Sequence, residues 1–259
     1  MDMGIRGRKA IVCAASKGLG RGCAEALAAE GVDLVITART ASELEAAASE
    51  IAAKYGVSVT PVAGDVKTEA GRAAILEAMP EPDILVNNAG GPPPGDFADF
   101  SLDDWREAGE GNMITPLALI KSTVYGMADR GFGRIVNITS YSVKSPIPTL
   151  ELSNGARAGL TAAIASLARK VAPRNVAINS ILPGPFATDR LTNTSHAMAE
   201  KFGKTFDEVH TERAEEVPAK RFGTTEEFGA MCALLCSQHA GYVIGQNIVM
   251  DGGSHVSTL

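Results

Sequence analysis

The chain has 259 residues, of which 45% are hydrophobic and 21% charged, and its net charge is −6. A chain of that length buries enough surface to fold without disulfide or metal staples. Its Lys and Arg are scattered rather than striped, which argues against nucleic acid or an anionic membrane as partner, and no apolar run approaches the ~20 residues of a membrane span.

Short β-rich runs alternate with amphipathic helical runs along the whole chain. The pattern predicts a strand over 9–15, a helix over 18–30, a strand over 32–38 and a helix over 42–54. A strand over 57–62, a helix over 68–79 and a strand over 83–86 follow, then a Pro/Gly-rich loop over 90–95. One long helix is expected within 103–128, a strand over 134–139, a helix over 156–171 and a strand over 177–182. Residues 189–218 form a long polar stretch with helix-like pieces, read as a substrate lid with a plain surface excursion as the alternative. A helix over 226–237 and a strand over 247–250 complete the series. Nearly all-apolar strands alternating with helices predict a doubly wound parallel sheet of Rossmann type, as a single domain spanning 1–259.

Residues 1–9 are basic without an apolar run behind them, so they do not read as a signal peptide. Cys13, Cys23, Cys232 and Cys236 make no CxxC pair and have no His at ligand spacing. They read as reduced thiols of a cytoplasmic protein, and no metal site is expected.

The loop Cys13-Ala14-Ala15-Ser16-Lys17-Gly18-Leu19-Gly20 joins the first strand to the first helix. A dinucleotide diphosphate needs such a turn, where the backbone comes close and helix N–H groups point at the anion. The second strand ends Thr37-Ala38-Arg39, without the acid that usually accepts from an NAD ribose. Arg39, with Lys17 nearby, suits a 2′-phosphate, so the expected cofactor is NADP(H).

Further motifs lie at strand ends: Asp65-Val66, Asn87-Asn88-Ala89-Gly90, Asn112, Arg134 to Ser140, Pro183-Gly184 with Thr188, and Gly245-Gln246 to Asp251-Gly252-Gly253. In this order and at these spacings the chain resembles the short-chain dehydrogenase/reductase family over essentially its whole length. The resemblance implies that Ala14, Ser16, Lys17, Gly18, Leu19 and Gly20 cradle the cofactor and that Asp65 and Val66 hold its adenine. It places Asn88, Ala89 and Gly90 along the ribose, and Pro183, Gly184, Phe186 and Thr188 at the nicotinamide. It also implies a homo-tetramer or homo-dimer, and a role for Asn112 in holding a water through a helix irregularity.

Two departures stand out. Ala14 occupies the position of the family's first loop glycine. Family members also carry a Tyr three residues before a Lys about a dozen residues beyond the catalytic Ser; counting from Ser140, those positions hold Ser153 and Arg157. Serine is a poor proton donor, and Arg holds its proton too tightly to shuttle it. Arg157 can still bind the ribose and stabilise an oxyanion. Tyr141 with Lys144, or a water chain on Asn112, Ser153 and Arg157, are the candidate proton sources. The expectation is an NADPH-dependent carbonyl reductase or alcohol dehydrogenase, with Ser140 orienting the carbonyl of a partly apolar small molecule. The alternatives are a non-catalytic NADPH-binding sensor or scaffold subunit, and a lyase or isomerase that consumes no cofactor.

Overall fold

The computed structural model describes residues 2–256; Met1 and residues 257–259, counted in the expected 1–259 domain, lie outside the described residues. The strands are β1 (Lys9–Cys13), β2 (Asp33–Ala38), β3 (Val59–Ala63), β4 (Ile84–Asn87), β5 (Gly133–Ile138), β6 (Val176–Pro183) and β7 (Asn247–Met250). All pair in parallel, in the order β3-β2-β1-β4-β5-β6-β7. The chain winds outward from β1 in one direction, returns, and winds out from β4 in the other. The reversal opens a crevice beyond the carboxyl ends of β1 and β4, which is where α/β sheets of this type take ligands.

Helices cover both faces because the strands are apolar on both. The first layer is α1 (Gly18–Ala29), α2 (Ala41–Tyr55) and α9 (Thr225–Cys236), which bury Leu27, Leu44 and Phe228 against Val12, Ile36 and Val86. The second is α3 (Glu69–Ala78), α5 (Thr115–Asp129) and α6 (Glu151–Val171), which bury Ile75, Leu119 and Leu160 against Ile11, Leu85 and Ile135. Each such side chain contributes about 1.5–3 kcal/mol by leaving water. β3 is an edge strand, and only there does a strand interior hold a proline, Pro61, whose missing N–H costs the ladder nothing.

Three differences from the sequence expectation bear on the site. The helix expected within 103–128 is two helices, α4 (Leu102–Gly109) and α5, joined by a π-helical turn at Glu110–Ile114. Pro116 has no N–H to offer the Asn112 carbonyl, and the Thr115 N–H reaches back five residues to the Glu110 carbonyl. Second, α6 starts at Glu151 rather than at 156. Ser153, Asn154 and Gly155 are weak helix formers, but Gly155 lets Trp105 of α4 approach closely, and packing overrides propensity. Third, the helix-like pieces expected in 189–218 are two regular helices, α7 (Asp189–Phe202) and α8 (Phe206–Glu216), which fill most of the stretch. Gly203 ends α7 in the left-handed region, and a Thr205–Glu208 capping box starts α8.

Candidate active site

The first strand ends at Cys13, two residues early, because Ala14 turns into the left-handed region with φ 49°. Gly18 does the same at φ 62°, which it tolerates freely. Gly20 packs so tightly under the turn that a Cβ there would fall into the Ala14 carbonyl oxygen. Ala14 is the strained member: the left-handed conformation costs a non-glycine residue about 1–2 kcal/mol. Ala14→Gly is therefore expected to raise stability by about 1 kcal/mol, read as an upward shift of the urea midpoint at unchanged slope. An unchanged or lower midpoint would show that the turn carries no strain.

This turn delivers an open helix end. The residue before α1, Lys17, makes no side-chain capping bond, and the first turn of α1 holds no acid. The N–H groups of Gly18, Leu19 and Gly20 are thus left for an anion, while the Leu19 side chain packs on the core. Ser16 is half-buried in the turn, and the Thr188 methyl stands over Gly18. These features fit a dinucleotide diphosphate.

At the far end of β2, Arg39 is exposed and has no carboxylate partner among the described residues. Lys17 differs: its Nζ lies 3.4 Å from Asp189 and 3.7 Å from Glu43. Of the two cations expected at a 2′-phosphate, Arg39 is free, and Lys17 is shared with two acids that sequence spacing did not reveal. Asp65 is folded onto its own turn, its Oδ1 accepting from the Lys67 N–H at 2.9 Å, and Val66 packs on the second core layer.

The ends of β4 and β5 carry the second half of the site. Asn112 Nδ2 donates to the Gly90 carbonyl at 3.4 Å, and its Oδ1 is buried without a partner. Ser153 and Arg157 lie one turn apart on α6, both buried, with Arg157 Nε donating to Ser153 Oγ at 3.1 Å. Arg157 Nη1 donates to the Ile138 carbonyl at 2.9 Å and Nη2 to the Ala89 carbonyl at 3.5 Å. Burial, with a smaller contribution from the charge of Arg190, lowers the Arg157 pKa to about 10, so it stays charged at neutral pH. A cavity of about 10 Å³ touches Asn88, Ala89, Asn112, Ile138 and Arg157, room for one water. The Asn112 and Arg157 part of the site thus comes together at one point. Asn87 and Asn137 lie in the strand-end motifs but are given no role by the sequence; their side chains bond at 2.9 Å across β4 and β5 and line the same cavity.

Ser140 follows β5, half-buried, its Oγ accepting from the Ser142 N–H at 3.1 Å. Tyr141 is held apart from Lys144. The only bond between them is backbone, at 2.9 Å, and the Lys144 side chain is exposed. Burial and the nearby Asp251 carboxylate raise the Tyr141 pKa above its ordinary value, making it a weaker acid. In this structure the Tyr141 and Lys144 side chains, one option for the proton source, are not bonded to each other.

Pro183 ends β6, and the Gly184 N–H donates to the Met250 carbonyl at 2.8 Å. Thr188 Oγ1 donates to the Phe186 carbonyl at 3.3 Å. The Phe186 ring, expected over a nicotinamide, turns instead into the core, edge-on to Phe228 at 5.2 Å. The apolar side chains in and before the α7–α8 segment do not form one continuous face. Leu191 packs on Val217 and Phe222, Phe206 stacks on His196 at 4.4 Å, and Met198 and Phe202 are exposed.

Residues 13–255 match the family model described as enoyl-(acyl carrier protein) reductase. The chain belongs to the short-chain dehydrogenase/reductase family. It is similar to the 3-oxoacyl-(acyl-carrier-protein) reductase FabG of Aquifex aeolicus, 33% identical with 98% of this chain and 99% of that protein covered. It is also similar to the NADPH-dependent reductase BacG of Bacillus subtilis, at 31% identity over 95% of this chain and 97% of that protein. Among solved structures, L-sorbose reductase from Gluconobacter frateurii, complexed with NADPH and L-sorbose, superposes with a TM-score of 0.94 at 32% identity, with all of both chains covered. The short-chain fold expected from the strand-end motifs, a single α/β unit with a seven-stranded parallel sheet, is therefore the fold observed.

Proposed function

We propose that this member of the short-chain family is an NADPH-dependent carbonyl reductase, or the reverse alcohol dehydrogenase, that works without the Tyr-Lys pair. The coarse activity, oxidoreduction at a carbonyl by a nicotinamide cofactor, accords with the relatives' names. The observation that carries the finer reading is the convergence of Asn112, Arg157 and Ala89 on one small cavity at the ends of β4 and β5, with Ser153 bonded to Arg157 behind it.

The diphosphate would lie on the open start of α1, the 2′-phosphate against Arg39, and the nicotinamide half along Asn88, Ala89, Gly90, Pro183, Gly184 and Thr188. Bound NADPH supplies a hydride to the carbonyl carbon. The chain's part is to orient and neutralise the oxygen that gains charge. Ser140 Oγ donates to that oxygen, and Arg157 adds a fixed positive charge in a site shielded from water. Asn112 Oδ1, buried and unpartnered, holds a water that can carry the proton, with Arg157, steadied by Ser153, on the same cavity. The α7–α8 hairpin over 189–218 acts as the lid. Four buried thiols without a disulfide suit a cytoplasmic protein, and the exposed Ile114 and Tyr125 suit burial in a homo-dimer or homo-tetramer.

The test is NADPH oxidation, followed by absorbance, across ketones, aldehydes and oxoacyl compounds. Ser140→Ala is expected to lower kcat by about 10²-fold on any compound turned over. Tight NADPH binding with no turnover of any carbonyl would favour a sensor or scaffold subunit instead. The pH profile separates the proton sources. A general acid near neutrality would impose a fall in kcat as the pH rises through its pKa. Arg157 stays protonated until about pH 10, and Tyr141 is raised rather than lowered. The kcat for reduction is therefore expected to be flat from about pH 6 to about pH 9. A step inside that window would assign the proton to another group.

A further inference from the structure

We propose that the compound reduced here carries a carboxylate, and that Arg190 recognises it beside Arg157; this rests on the reductase reading above. The observation is a pair of guanidinium groups at one loop with no acid between them. Arg157 Nη2 bonds the Ala89 carbonyl at 3.5 Å. Arg190, on the first turn of α7, reaches across the crevice to Gly91, where a Cβ would stand 2.6 Å from Arg190 Nη1. Among the described residues neither guanidinium forms an ion pair with a carboxylate. Asp189, next to Arg190 in sequence, is turned the other way onto Lys17 at 3.4 Å.

A buried charge is normally paired, since neutral carbonyl acceptors satisfy its hydrogen bonds without cancelling its charge. Here Arg157 is buried among the neutral acceptors Ile138, Ala89 and Ser153, and a second cation stands close enough to disfavour its charged form. An anion placed between the two relieves both costs at once. A carboxylate suits the fork geometry of a guanidinium. The location favours substrate over cofactor diphosphate. The open helix end that suits the diphosphate follows β1, whereas Arg157 bonds carbonyls after β4 and β5 and the Arg190 guanidinium lies against Gly91 in the loop after β4. Gly91 leaves room for Arg190 to swing onto a bound ligand.

The test compares 2-oxo and 4-oxo acids with their methyl esters, with L-sorbose as a neutral ketose, in the wild type, Arg190→Gln and Arg190→Lys. The expected result is kcat/KM at least about 10-fold higher for an acid than for its ester. Arg190→Gln should collapse that ratio towards one, mainly through KM, and Arg190→Lys should restore part of it. Calorimetric NADPH affinity of Arg190→Gln should stay within about twofold of wild type, because on this reading the start of α1 and Arg39 hold the phosphates. Equal turnover of acid and ester, or preference for the ketose, overturns the proposal. A loss of NADPH affinity in Arg190→Gln, with acid and ester affected alike, overturns it by making Arg190 a diphosphate ligand. No NADPH oxidation by any neutral or charged compound defeats the reductase reading itself, and this proposal with it.

Discussion

Arg157→Met is expected to lower kcat by about 10²–10³-fold, the loss seen when a preorganised donor is removed from a developing oxyanion. The side chain combines three roles that methionine cannot fill. It bonds the Ile138 and Ala89 carbonyls at the ends of β5 and β4, it fixes Ser153 Oγ, and it places a full charge where water is excluded. Methionine matches its volume roughly, so the loss is chemical rather than a cavity. Leaving buried carbonyls without donors costs about 1–3 kcal/mol as well, so the thermal midpoint should fall. Arg157→Lys separates the effects. An ammonium restores the charge but has no planar fork to reach both carbonyls, so it should recover more of kcat than of stability. Steady-state kinetics beside thermal unfolding of each variant provides the check. Full kcat in a destabilised Arg157→Met would reduce Arg157 to a structural tie.

Arg39→Ala is expected to weaken NADPH binding by about 10- to 100-fold and to leave NADH binding unchanged. The prediction depends on a difference between two cations. Arg39 is exposed at the end of β2 and unpaired among the described residues, so its fork is available to a 2′-phosphate. Lys17 is already near Asp189 and Glu43, so its charge is partly offset and Lys17→Ala should cost NADPH binding less. Equal losses for both cofactors in Arg39→Ala would show that Arg39 supports the loop rather than reads the phosphate.

The fold was legible because its signals are periodic and redundant. Apolar strands such as 34–36 and 84–86 can only be buried on both faces, and helices must supply the cover. The glycine turn was legible because a diphosphate demands it. What escaped were features decided by packing between distant segments. The early start of α6 depends on Trp105 meeting Gly155, and without it Ser153 and Arg157 would not share a helical face. The inward turn of Phe186 depends on Phe228, over forty residues further on. Tyr141 looked available beside Ser140, but it opens a 3-10 turn (Tyr141–Val143) and lies near the Asp251 carboxylate. Arg190 stood two residues past the expected nicotinamide contact Thr188. Only the crossing of α7 over Gly91 gives it meaning.

The most direct test titrates the purified protein with NADPH and with NADH in a calorimeter. Seating of the coenzyme on the uncapped start of α1, with Arg39 on its extra phosphate, predicts saturable one-site uptake of NADPH at least about 10-fold tighter than NADH. No measurable heat with NADPH, or equal affinity for the two, would contradict it.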